Sequence, residues 1–326
     1  MATYKEIHGV KVQYRDSDAT AIEGDVWYNA STGLLKMHVG AGTWASGGTM
    51  NTGRAMLVGS GSQTAAVAVG GWIPPYSNAT EEYDGSSWTN SGNINTARSE
   101  LGSGSSASSQ TAAIIFAGKG PGGGAVDDAE TYNGSTWTEV GDLNTARRSS
   151  LDGCGTTTAC IAFGGGNPDP TGAQAELYNG TSWTEVADLN TARSDLTGDG
   201  DSSTSALCIG GYTPDTGRTA VVEEYNGTSW TELGDLNTAR YQLASAGGST
   251  TTLAFGGNNP SPAVTAVTEA FDGTTWTEVA DLPAAEDDHA GTGTGTLALS
   301  FGGAPAVTAS NEWAFSATSI ETVAFD

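Results

Sequence analysis

Short apolar runs and longer polar, glycine-punctuated stretches alternate along the chain, and the same alternation returns six times. The runs are AVAVGG (66–71), IIFAG (114–118), CIAFGGG (160–166), LCIGG (207–211), LAFGG (253–257) and ALSFGG (298–303). Each closes on small residues and predicts a fully buried strand. No capped apolar stripe of 3.6-residue period occurs anywhere, so helix should be nearly absent. After most runs come a variable loop, a Glu-x-Tyr or its variant, an Asn-Gly or Asp-Gly step, and a Ser/Thr-Trp-Thr segment. The last pieces predict a hairpin, with Asn-Gly as a type I′ turn signal.

Tryptophan sets the register. YDGSSW (83–88), YNGSTW (132–137), YNGTSW (178–183), YNGTSW (225–230) and FDGTTW (271–276) place Trp88, Trp137, Trp183, Trp230 and Trp276 at spacings of 49, 46, 47 and 46 residues. A period of that length, filled by several short strands, predicts radially stacked four-stranded blades. With its Gly-Gly, Glu-x-Tyr-(Asn/Asp)-Gly and Trp positions, the chain resembles the kelch repeat over roughly residues 50–315. That family forms β-propellers, and the resemblance implies that these tryptophans pack blade on blade. The expected fold is all-β: a six-bladed kelch-type propeller over residues 42–326, preceded by a short N-terminal β-hairpin arm, residues 1–41.

The last unit lacks the outer strand, and Trp313 stands at its tyrosine position. GTWASGGTMNTGR (42–54) aligns with STWTEVGDLNTAR, so Trp44 holds an outer-strand position with no blade before it. The strand around Trp44 is therefore expected to complete the sheet built from residues 285–326. The alternative has 319–325 as that strand and 25–46 as a separate hairpin. In the arm, GDVWYNASTGLLKMHVG predicts a hairpin turning at residues 30–33. Its G(D/E)xWYN…GxLK pattern, following MATYKEIHG, is similar to N-terminal segments of fibre and appendage proteins of marine and cyanobacterial tailed phages. This resemblance implies a virion protein made in the bacterial cytoplasm and carried on the outer surface of capsid or tail. Residues 1–41 would dock to other virion proteins, and the propeller would face a host surface, with a surface glycan as one candidate partner. Self-association into a homo-oligomer stays open.

Charge narrows the partners further. Twelve Lys and Arg against 37 Asp and Glu give a net charge of −25. Such a chain offers no basic groove for a nucleic acid backbone and no polybasic patch for anionic lipid. No apolar run is long enough for membrane insertion as a helix, and the N-terminus lacks the apolar stretch of a secretory signal. Cys154, Cys160 and Cys208 are an odd number without metal-ligand spacing, and read as small buried hydrophobes needing no disulfide framework.

Candidate chemistry is sparse. His8, His38 and His289 are too scattered to suggest a zinc or copper site and read as surface residues, and no serine sits in a strained elbow. Asp84-Gly85-Ser86-Ser87-Trp88 lacks the spacing residue of a sialidase Asp-box, and Asp199 with Asp201 supplies too few oxygens for calcium. No cofactor and no catalytic residue are expected. A lectin-like carbohydrate-binding module is the alternative reading, with a glycan-active enzyme behind it. Of eight arginines, Arg54, Arg98, Arg147, Arg193 and Arg240 share one repeat position, with about Asp287 as the sixth. They should ring one mouth of the channel, as an anion site or, by preference, as structural partners of Asp142, Asp188, Asp235 and Asp281. The divergent loops after Gly-Gly are the better binding candidates. Their aromatic or basic residues are Trp72, Tyr76, Lys119, Tyr212 and Arg218.

Overall fold

The six apolar runs form the second strands of six sheets in a computed structural model, which describes residues 13–15, 26–31, 34–166, 172–260 and 264–322. The first sheet runs Val58–Ser62, Ala65–Val69, Thr80–Tyr83, Trp88–Asn90, each strand antiparallel to the next. Four more sheets repeat this order and end on Trp137–Glu139, Trp183–Glu185, Trp230–Glu232 and Trp276–Val279. The chain divides into two compact units, Trp44–Trp313 and Met1–Thr43 with Ala314–Asp326. The first is an all-β, six-bladed β-propeller, its blades numbered I to VI in chain order. Within the second, Val26–Asn29 pairs antiparallel with the following strand, Val26 opposite Met37, and parallel with Gln13–Arg15. Thr32 and Gly33 of the expected turn lie outside the described residues.

Blade VI closes the ring. Its strands Ala290–Thr294 and Leu297–Phe301 are followed by the one starting at Ser310, and the strand ending at Ser46 lies beside that. Gly47 N–H donates to the Ser310 carbonyl and Met50 N–H to that of Thr308, both at 2.8 Å. Trp44 occupies the outer-strand position, as its alignment predicts. Its indole N–H donates to Thr268 Oγ1 of blade V at 3.1 Å, and its ring meets Phe255 at 4.9 Å.

The outer-strand tryptophans lean on the blade before them. Trp88, Trp183 and Trp230 meet Phe301, Phe116 and Phe163 at 5.0–5.2 Å. The indole N–H groups of Trp88, Trp183, Trp230 and Trp276 donate to the carbonyls of Gly48, Gly141, Ala187 and Gly234, past the preceding outer strand. Each buried ring thus packs its apolar body between blades while its polar edge is satisfied.

Two local features differ from the sequence expectation. The Asn-Gly hairpins are not type I′ turns. Asn133 Oδ1 accepts the N–H groups of Ser135 and Thr136 at 3.0 and 2.9 Å. Of that four-residue connection only Gly134 takes positive φ, at 90°. A type I′ turn needs two such residues in succession; the side-chain acceptor closes an Asx turn instead. Asp84 does the same, and the Ser87 and Ser86 donors hold its carboxyl down to about 2. Blade II also departs from its siblings. Its first strand is only Gly102–Ser103, and a single 3-10 turn, Ser105–Ala107, lies against the first strands of blades I, III, IV, V and VI. Ser105 Oγ donates to the carbonyls of Gly153 and Gly198 at 2.9 and 3.0 Å. This turn plugs the propeller axis.

Candidate functional site

Asn-Thr-Ala-Arg leaves the outer strand of one blade and clamps the next. In blade III, Arg147 Nη1 donates to the carbonyls of Gly164 and Gln174 at 3.1 and 2.7 Å, and Nη2 to Glu176 Oε1 at 3.2 Å. Asn144 N and Nδ2 donate to Glu176 Oε2 at 2.7 and 2.8 Å. Arg54–Glu81, Arg98–Glu130, Arg193–Glu223 and Arg240–Glu269 repeat the pair at 2.6–3.0 Å. All five arginines are 0–1% exposed. Their contact partner is the glutamate of the third strand rather than the aspartates expected from the sequence. Asp188 and Asp281 act on Arg147 and Arg240 only as more distant charges. Burial lowers the pKa of Arg54, Arg147 and Arg240, and the glutamates oppose that shift. Enclosed and neutralised, these five guanidinium groups offer no free positive charge to a ligand.

The sixth position is Glu286, not Asp287. Gly257 N–H meets the Glu286 carbonyl at 2.7 Å where Gly211 N–H meets that of Arg240 at 2.8 Å. At the glutamate position stands Asn311, whose Nδ2 donates to Glu286 Oε1 at 3.3 Å. Both halves of the pair have changed together, from ion pair to carboxylate–amide. His289 replaces the leucine that Leu57, Leu101, Leu151, Leu196 and Leu243 supply elsewhere. Rather than lying on the surface as expected, it is buried 5.7 Å from Phe255, and neither ring nitrogen has a hydrogen-bond partner of normal geometry. Burial presses its pKa down to about 3, with Arg240 adding. His38 lies in the strand Leu34–Ser46, and His8 falls outside the described residues.

Two residues beyond each clamp position the backbone takes positive φ, at Met56, Glu100, Ser149, Asp195, Gln242 and Asp288. These six form a hydrogen-bonded circle. Met56, Glu100, Asp195, Gln242 and Asp288 each donate an N–H to the carbonyl of the preceding member at 2.7–3.2 Å. Ser149 N–H takes Glu100 Oε2 at 3.1 Å instead. Met56, Gln242 and Asp288 of the circle line an axial cavity of about 60 Å³, room for about two waters. The circle's carboxylates crowd one another. Burial, then Asp287, Asp195 and Glu100, push Asp288 up to about 7, and burial with Glu100 pushes Asp195 up to about 6. Deeper in the channel, burial raises Asp152 to about 7 although Gly198 N–H and Ser103 N–H donate to it at 2.8 and 3.3 Å. Among the described residues, no three His, Cys, Asp or Glu side chains are grouped to hold a metal ion.

The loop residues surround this mouth. Trp72, Lys119 and Tyr212 share one repeat position, just after the glycine pair or, in blade II, Ala117-Gly118, and bridge to Ala55, Ser99 and Ser194. Trp72 and Tyr212 are 40% and 36% exposed, yet they belong to blades I and IV, on opposite sides of the ring. Tyr76 lies half-buried in the blade I loop. Lys119 Nζ pairs with Glu100 at 3.4 Å. Only Tyr212 and Arg218 come together, through the small hairpin Tyr212–Thr213 and Gly217–Arg218. From there Arg218 reaches blade V. Its Nε and Nη2 donate to Asn258 Oδ1 at 3.3 and 2.6 Å, and its Cζ lies 5.1 Å over the Tyr241 ring. Tyr212 meets Tyr241 edge-on at 6.0 Å, and Asn258 Nδ2 donates to Asp287 at 3.4 Å. Tyr241 carries one faint sequence signal, an aromatic ring where sibling units have Ala55, Ser99, Arg148 and Ser194. Asn258 carries none. Residues 167–171 and 261–263 of the candidate loops lie outside the described residues.

This patch couples an exposed aromatic ring to an oriented guanidinium, an amide and a carboxylate. Compared with known proteins, the chain matches no family model and no curated sequence. The fold is that of a six-bladed β-propeller.

Proposed function

We propose that this chain is a non-enzymatic structural protein of a tailed-phage virion. It would be a kelch-like propeller mounted by residues 1–41 on the outside of capsid or tail, as a surface appendage, short fibre or decoration. The observation that carries this reading is the N-terminal G(D/E)xWYN…GxLK segment, similar to phage appendage proteins, joined to a propeller. The charge balance supports it: the clamps bury five of the twelve basic residues with five glutamates, so the excess of −25 stays with the rest of the chain, where it resists self-association and contact with DNA. Deleting residues 1–41 spares Trp44 and should give a folded propeller that no longer enters particles. Continued incorporation of the truncated chain would overturn the docking role.

The blade IV–V patch favours a second reading, a carbohydrate-binding module. Aromatic faces suit the apolar face of a sugar, and a few convergent polar groups fix its orientation. On a glycan array, Tyr212→Ala and Arg218→Gln should abolish any glycan signal while Trp72→Ala, across the ring, leaves it intact. Equal loss in all three variants, or no signal from the unmodified chain, counts against this reading.

A further inference from the structure

Each arginine clamp leaves one donor over, and the reason lies in how the glutamate is shared. A guanidinium and a carboxylate commonly meet through two parallel bonds. Here the carboxylate is split. Oε1 goes to arginine Nη2, while Oε2 is held by the backbone N–H of Asn51, Asn95, Asn144, Asn190 or Asn237. Nη1 is already committed to two carbonyl oxygens, those of Gly70 and Ala79 in blade I and their equivalents elsewhere. The Nε–H groups of Arg54, Arg98, Arg147, Arg193 and Arg240 therefore meet no acceptor of the protein, although these side chains are 0–1% exposed. A buried unpaired N–H is rare in folded proteins. Five identical cases, at one repeat position, share one cause.

We infer that each Arg–Glu–Asn clamp is a binding site for a single buried water molecule, which accepts the Nε–H bond. The protein would then hold five such waters, one where the chain enters each of blades I to V. Water fits these sites better than an anion, because the adjoining glutamate already balances each guanidinium and the whole chain carries −25. Blade VI provides an internal control. Glu286 and Asn311 stand at its clamp positions, and neither has a donor equivalent to Nε.

A crystal structure of the full chain, at a resolution that places ordered water, tests this directly. The expected result is one density peak within hydrogen-bond distance of each of the five Nε atoms and none at the Glu286–Asn311 pair. Finding Nε bonded to a protein acceptor, or without a peak, overturns the inference. A bromide soak giving anomalous signal at these positions overturns it in favour of a halide. In solution, water magnetic relaxation dispersion counts long-lived internal waters. Arg147→Lys, which keeps the charge but loses the Nε donor, should lower that count by one; an unchanged count overturns the assignment. If that variant fails to fold, Asn144→Ala serves instead. It removes one of the two bonds holding Glu176 Oε2, and the oxygen should then turn toward Nε and displace the water at that clamp.

Discussion

An exposed histidine takes up a proton near pH 6.5, whereas burial holds His289 down to about 3. The unfolded chain thus binds a proton that the folded chain refuses, and this contribution to stability is lost as pH falls from about 6.5 toward 3. Asp152 and Asp288 act in the opposite sense. Their folded values near 7 exceed the ordinary carboxylate range, so their contribution is fully present in acid and lost as pH rises through about 7. His289→Leu should therefore gain about 2 kcal/mol more over the unmodified chain at pH 5 than at pH 8. Denaturant midpoints at the two pH values check it, and a pH-independent difference would refute it. Asp288→Asn should show the reverse trend, stabilising more at pH 8 than at pH 5. At this scale the sequence was readable only in part. The arginine register was plain, but its partner was not, because Glu130-type and Asp142-type carboxylates recur with the same period. Period alone does not tell which of them faces the guanidinium. Glu286-Asp287-Asp288 offers three adjacent acids and no landmark, which is why the sixth position was displaced by one.

The clamp is the element that joins one blade to the next, and its behaviour is open to exchange experiments. Arg147→Ala leaves Glu176 buried without its cation and should cost about 3–5 kcal/mol. Blade VI suggests a compensated version. Arg147→Glu combined with Glu176→Asn copies the Glu286–Asn311 pair, and a double-mutant cycle should show favourable coupling of about 1 kcal/mol or more. Strictly additive losses would mean that the blade VI pair depends on its own surroundings. In the hairpin, Gly134→Ala forces a side chain into positive φ and should lower stability by about 1 kcal/mol. Strands and hairpins were legible because the glycine pair and the tryptophan recur as fixed landmarks. The hairpin type was not, since Asn-Gly serves an Asx turn as well as type I′. Nor was the Ser105–Ala107 plug: nothing in SSASSQT marks a helical turn, and crossing the axis depends on five other strands. The Arg218–Asn258 contact joins two variable loops forty residues apart, where no repeat pattern reaches.

Across the whole propeller, the decisive joint is the pairing of residues near 46 with those near 310. Deleting residues 1–50 removes Trp44 together with the Gly47 and Met50 bonds, uncovering Phe255 and a sheet edge. Loss of the tryptophan alone should cost about 3–5 kcal/mol, and calorimetry should show the whole propeller melting earlier, whereas removal of residues 1–41 should leave its transition in place. Ring closure was legible because residues 42–54 align with an outer strand and its following turn. It also sets the order in which the molecule can be completed during synthesis. The ribosome delivers residues 44–46 before blade I and their neighbour at 310–313 after blade V. At about 5–20 residues per second, the early strand waits on the order of tens of seconds for its mate. Until then the nascent chain is an arc with two raw flanks, exposed to chaperones and to neighbouring chains. A translation product cut short before residue 310 has no mate for that strand at all, so completion of the circle doubles as a check that the message was read far enough.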